Sequence, residues 1–260
     1  MKESMKKYVH FATWFVIFST VFSSLASADR TDQWTDQATE IDFQERVRQT
    51  APQPKIIEEI RRSEVLERAY AALNYVFLYR EENAASWEIK NLCSPESGNY
   101  WLRPIRLNEQ IDKRVRAIPY KWGGYFIDLD FFTEGVRQGR LVGDVCTCRA
   151  EKYNYCLIPR AIGLDCSGFV SYAWKTSYHV TSALHEISQE IPWEELKSGD
   201  ALNKAGSHVR LFVSFADHGK KKVNIIESSL TCEGVCENTF SVKELKQSGY
   251  VPLRYVNIRD

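Results

Sequence analysis

Seven cysteines, in a chain that opens like an export signal, constrain this sequence more than any other feature. Lys2, Lys6 and Lys7 precede the apolar run HFATWFVIFSTVF, and LASA follows with small residues at Ala26 and Ala28. That order is the build of a secretory signal peptide over residues 1–28, cleaved after Ala28. Its apolar core is short for the roughly 20 residues of a membrane span. The mature chain is therefore expected to be secreted or periplasmic, with no membrane association after cleavage. In an oxidising compartment thiols pair, and an odd number leaves one over. Cys93, Cys146, Cys148, Cys156, Cys232 and Cys236 all fall in polar segments that read as loops, and disulfides among them are expected in a pairing that spacing does not specify. The C-x-C and C-x-x-x-C spacings lack the C-x-x-C pair usual in zinc sites, so no metal is expected.

Bulk composition narrows the class further. Hydrophobic residues make up 44% and charged residues 26%, an ordinary globular mixture. Lys plus Arg and Asp plus Glu both number 34. Without a basic excess to neutralise phosphates, no nucleic-acid partner is expected.

Along the chain, residues 29–60 form a polar leader broken by PQP at Pro52–Pro54, and residues 61–260 read as a single domain. KIIEEIRRSEVLERAYAALNYVFLYREE places Val65, Leu66, Ala69, Ala72, Leu73, Val76 and Phe77 at helical spacing, which predicts one helix running through Phe77. IRLNEQIDKRVRAI, residues 105–118, is a second helix candidate. The paired glycines of PYKWGGYF, residues 119–126, forbid an ordinary helix interior. A polar insert of about residues 127–162, carrying Cys146, Cys148 and Cys156, reads as a loop too long for a simple connection. SHVRLFVSF alternates as a strand, ADHGKK turns, and KVNIIESS is a second strand, predicting an antiparallel hairpin. SVKELKQSGY reads as a short helix and VPLRYVNI as a closing strand. The fold class expected is α+β: N-terminal helices packed on a small, mostly antiparallel sheet.

Within this layout Cys166 stands apart. In GLDCSGFVSYAW, the residues Phe169, Val170, Ala173 and Trp174 follow it at i+3, i+4, i+7 and i+8, one core-facing helical stripe. Asp165, Cys166 and Ser167 then sit at the first turn, where unpaired N–H groups and the helix dipole favour a thiolate. The same N–H groups can stabilise an oxyanion on a carbonyl under attack. A nucleophilic thiol needs a base and an orienting partner. His10 leaves with the signal peptide, His179 and His185 lie in a polar segment, and His218 is in a turn beside lysines. His208 opens a strand directly after a Gly-containing loop. Glu227, at the end of the apolar run VNII, falls opposite or diagonal to the start of that strand.

PYKWGG, GLDCSGFVSYAW, WEELKSGDAL and SHVRLFV, in that order, resemble the NlpC-type papain-like cysteine peptidases of bacterial cell walls. The resemblance spans roughly residues 119–230. It implies a papain-like fold with Cys166 as nucleophile, His208 as general base and Glu227 as the orienting group. It further implies that Tyr120 positions substrate near the oxyanion, and that Asp165 and Ser167 shape the pocket for the residue ahead of the cut bond. The implied substrate is a peptidoglycan stem peptide or muropeptide, cut between D-glutamate and the diamino acid, with no cofactor. The chain departs from the family in two places. The third position offers Glu227, or else Asn224, where the family most often has His, Asn or Gln. Residues 125–164 replace a short link. An amidase or acyl transferase of the same fold, and an inactive disulfide-stapled binding module, are the alternatives.

Overall fold

The computed structural model describes residues 59–84, 103–145, 158 and 160–260. The expected signal peptide, nearly all of the leader, and Cys93, Cys146, Cys148 and Cys156 lie outside the described residues.

Strand β1 (Ile60–Arg61) leads into helix α1 (Arg62–Asn74). Val65, Ala69, Ala72 and Leu73 form its buried stripe, as the apolar spacing predicts. The helix does not run through Phe77, however. Tyr75 is extended, and β2 (Val76–Tyr79) buries Phe77 and Tyr79 while exposing Val76 and Leu78. The apolar run thus switches from helical to strand period without a polar break, and pairing with β3 (Lys113–Arg116) decides the switch. The second expected helix, residues 105–118, is also absent. A single 3-10 turn covers Ile105–Leu107, and Glu109, Asp112 and Ala117 adopt φ of 59°, 61° and 68°, which no right-handed helix accommodates.

The segment read as a loop contains structure as well. Asp128 caps helix α2 (Leu129–Arg137) by accepting from Phe131 N at 3.0 Å, and Phe132 and Val136 face the core. β4 (Leu141–Val142) pairs in parallel with β5 (Ala161–Ile162). Gly135 belongs inside α2 because a Cβ there would lie 2.7 Å from Ile162 Cδ1.

Helix α3 (Cys166–Ala173) is buried on every side, not on one face alone, and so forms the centre of the molecule. It packs on α1 and on β8 (His208–Phe215) and β9 (Lys222–Ser229). Those strands belong to an entirely antiparallel six-stranded sheet, ordered β10-β9-β8-β7-β11-β6. Its remaining members are β6 (Ser188–Glu190), β7 (Ala201–Lys204), β10 (Gly234–Ser241) and β11 (Val251–Tyr255). The β8–β9 hairpin matches the sequence reading, with one irregularity between Phe212 and Ser214. β10 overturns part of it: Cys236 lies in a strand, directly across from Glu227, not in a loop. Helix α4 (Val242–Gln247) caps the sheet's other face, where Leu202, Phe212, Val223, Ile225 and Leu245 form a second core.

At the end of the chain β12 (Ile258–Arg259) pairs with β1. Asp200, fully buried in the SGD turn, ties the start of α1 to β11: its carboxylate accepts from Arg62 Nη1 at 2.9 Å and Arg254 Nη2 at 2.8 Å. The architecture is α+β. Among the described residues no helix is long and apolar enough to cross a membrane.

Candidate active site

Three glycines explain how the PYKWGG and GLDCSGF segments come together. Added Cβ atoms would lie 2.5 Å from Gly163 O at Gly124, 2.4 Å from Pro119 O at Gly163, and 1.9 Å from Gly124 O at Gly168. The backbones therefore run against each other where no side chain fits. Leu164 N donates to Pro119 O at 3.1 Å, and Asp165 N donates to Gly124 O at 3.0 Å. This ladder fixes the residue from which α3 starts.

Asp165 caps the helix. Its Oδ1 accepts from Gly168 N at 2.6 Å and from Ser167 Oγ at 3.0 Å, and its Oδ2 accepts from the Tyr178 hydroxyl at 2.7 Å. Burial pushes the Asp165 carboxyl up, against the pull of these donors and of the Lys121 charge. Asp165 and Ser167 both line the cavity described below, yet their polar atoms are engaged with each other and with the helix start.

Cys166 is the first residue of α3 and a free, buried cysteine. At this thiol burial outweighs the helix start. Burial pushes its thiol up to about 12, and the Asp165 charge adds to the rise. The N–H groups of Val209, Ser167 and Cys166 itself pull the other way without winning. They nevertheless show where the sulfur lies: Val209 follows His208 directly, so the thiol sits against the start of β8.

His208 opens β8, with 19% of its side chain exposed, and its Nε2 lies 2.6 Å from Glu227 Oε2. The register explains the meeting. Leu211 pairs with Ile226, which sets Arg210 across from Glu227 and His208 on the diagonal. Asn224 is elsewhere, donating to Ser214 Oγ at 3.1 Å and accepting from Thr239 Oγ1 at 2.8 Å. With Nε2 engaged, Nδ1 is the nitrogen of His208 left for proton exchange.

Glu227 is 3% exposed and carries more partners than its sequence position suggests. Asn238 Nδ2 donates to Oε1 at 2.9 Å, and Arg210 Nε forms an ion pair with Oε2 at 2.9 Å. Burial alone would raise the Glu227 carboxyl. The hydrogen bond and charge of His208, the Arg210 charge and the Asn238 bond together hold it below its usual value. Arg210 is itself sandwiched between Phe240 and Tyr250, its guanidinium carbon 4.3 Å and 4.5 Å from their ring centres.

Cys166, His208 and Glu227 line one cavity of about 900 Å³, together with Tyr120, Trp122 and Tyr250. Tyr120 is buried there, its backbone N–H donating to Glu233 O at 3.1 Å. Cys232 and Cys236 form a disulfide beside Glu227, with both sulfurs and a carboxylate oxygen within 4.8 Å of one another. Bonded sulfurs offer no thiolate to a metal ion. The sequence reading missed Arg210, Asn238, Tyr178 and Tyr250. Strand alternation from His208 already puts Arg210 on the site's face, whereas Asn238 needs the β9–β10 register.

A thiol that shares a cavity with a histidine braced by a buried carboxylate has the groups needed to exchange a proton and attack a carbonyl. No family model matches the chain, and a search of curated proteins finds no relative. Among solved structures, the peptidoglycan hydrolase RipB from Mycobacterium tuberculosis is similar at 16% identity and a TM-score of 0.37, over 90% of this chain and 88% of that one.

Proposed function

We propose that this chain is a thiol hydrolase in which Cys166, His208 and Glu227 act as nucleophile, general base and orienting group. The observation that carries this reading is the 2.6 Å contact between His208 Nε2 and Glu227 Oε2, in one cavity with Cys166 at a helix start. More particularly, it is an exported NlpC-type, papain-like cysteine peptidase that hydrolyses the γ-D-glutamyl–diamino acid bond of peptidoglycan stem peptides. The ordered segments PYKWGG, GLDCSGF and SHV support the family, and the substrate follows from it.

A thiol raised to about 12 is not a standing thiolate at neutral pH. The Cys166 proton instead passes to His208 Nδ1 as sulfur attacks the amide carbonyl. Glu227 stabilises the imidazolium that forms. N–H groups at the start of α3 stabilise the tetrahedral oxyanion, with Tyr120 beside it. His208 returns the proton to the leaving amine, and water then hydrolyses the thioester to free Cys166. Asp165 and Ser167 contribute by holding the helix start and one wall of the pocket.

Digesting purified peptidoglycan with wild type and Cys166→Ala, with mass spectrometry of the released fragments, tests the reading. Fragments with free diamino-acid amines, absent with the variant, are expected. Products of another amide or ester cleavage would move the substrate assignment and keep the chemistry. Equal release by both proteins would refute the nucleophile.

A further inference from the structure

The carboxylate that braces His208 is held from β10 by groups the three-residue reading does not use. Asn238 Nδ2 donates to Glu227 Oε1 at 2.9 Å, and the same nitrogen lies 3.4 Å from Cys236 Sγ and 3.6 Å from Cys232 Sγ. The Asn238 amide is thus bracketed between the carboxylate and the disulfide. Cys236 is the cross-strand partner of Glu227, and Cys232 lies in the turn that joins β9 to β10. That turn also forms cavity wall, since Ser229, Leu230 and Thr231 line the site.

We propose that Asn238, backed by the oxidised Cys232–Cys236 disulfide, is a positioning residue that fixes Glu227 against His208, so that full activity requires this disulfide. The proposal rests on the Cys166–His208–Glu227 reading but not on any particular substrate. Glu227 faces His208 and Arg210 from β8, and Asn238 and Cys236 from β10, with the Tyr250 phenol close enough to feel both Arg210 and Glu227. Of these, only Asn238 binds Oε1, so it sets the carboxylate's rotation while His208 and Arg210 share Oε2. Bonded sulfurs present no hydrogen to Glu227. A dithiol reductant changes that: it passes two electrons and two protons to the cystine, becomes a disulfide itself, and leaves two thiols. Their sulfurs lie within 4.8 Å of a Glu227 carboxylate oxygen, so the new S–H groups add weak donors beside Asn238.

The test reads Cys166 alkylation by iodoacetamide against pH, with adducts located by peptide mass spectrometry, and needs no substrate. Wild type, Asn238→Leu, Asn238→Ala and the Cys232→Ser/Cys236→Ser double variant are compared, each before and after dithiothreitol. Asn238→Leu keeps the side-chain shape and removes the donor without adding a charge. Loss of one hydrogen bond to a charged group predicts about a tenfold slower reaction near neutral pH. Its acid limb should shift, because Glu227 then braces less well the imidazolium that forms as His208 takes the Cys166 proton. Dithiothreitol should slow wild type toward the double variant and leave the double variant unchanged, which separates this disulfide from bonds among the other cysteines. An unmoved acid limb in both Asn238 variants overturns the proposal, as does a dithiothreitol response as large in the double variant as in wild type. If peptidoglycan is untouched by wild type but these alkylation shifts appear, the substrate assignment fails and this inference stands.

Discussion

His208 Nε2 and Glu227 Oε2 meet at 2.6 Å across a strand diagonal, and Arg210 Nε meets the same oxygen at 2.9 Å. Glu227 therefore serves the His208 imidazole and the Arg210 guanidinium at once. Glu227→Gln keeps the volume and removes the charge, so imidazolium loses its counter-ion and Arg210 its ion pair. A fall in kcat of about 100-fold or more is expected, with KM changed far less, since the effect acts on the charge-separated state. Steady-state kinetics on a soluble stem peptide check this, and a selective rise in KM would count against the orienting role.

Glu227 also predicts how stability follows pH. Its carboxyl is held below the ordinary 4.5, so the folded protein binds fewer protons there than the unfolded chain. The stabilisation is complete above about 4.5 and is lost as pH falls through the lower, folded value. Removing one cation with Arg210→Met lessens the depression. Thermal melts between about pH 3 and 6 should show a shallower acid loss for that variant than for wild type. Parallel curves would mean that Arg210 does not hold Glu227 ionised.

Burial raises the Cys166 thiol to about 12, so its reactivity must come from its neighbour. His208→Ala removes the proton acceptor. Iodoacetamide labelling of Cys166 near neutral pH should slow by about tenfold or more, with the adduct still confirmed on that residue. Equal labelling rates would make the histidine irrelevant to the thiol.

The close backbone approach beneath the site makes a stability prediction. At Gly168 a Cβ would lie 1.9 Å from Gly124 O, a backbone atom that cannot yield as a side chain can. Gly168→Ala should cost about 3 kcal/mol and displace the start of α3. Gly206, with φ of +71° and nothing within 4 Å, should lose only about 1 kcal/mol as Ala. Urea denaturation of the two variants measures the contrast, and similar losses would show that the interlock is soft.

Much of the site was legible because it follows local periods. The apolar stripe after Cys166 marks α3, and alternation on either side of the DHG turn places His208 and Glu227 on one face. What escaped depends on non-local pairing. Val76–Tyr79 reads as the end of a helix until β3 captures it, and Lys113–Arg116 reads as helix until positive φ at Asp112 and Ala117 excludes it. Asp128 with Phe132 and Val136 did carry a helix signal, obscured by Gly135, whose reason is contact with Ile162. Asn238 was not readable at all, because its role exists only through the β9–β10 register. The thiol illustrates a different limit: spacing gives the helix start, but only the packed structure gives the burial that outweighs it.

The central claim is that Cys166 forms a covalent acyl-enzyme. Incubation with a stem peptide, acid quench within the first turnover and mass mapping of the peptide containing Cys166 test it directly. The account predicts a thioester on Cys166 with the mass of the acyl half of the substrate, lost together with turnover in Cys166→Ala. Hydrolysis that persists in Cys166→Ala, with no adduct on the wild-type residue, would contradict it.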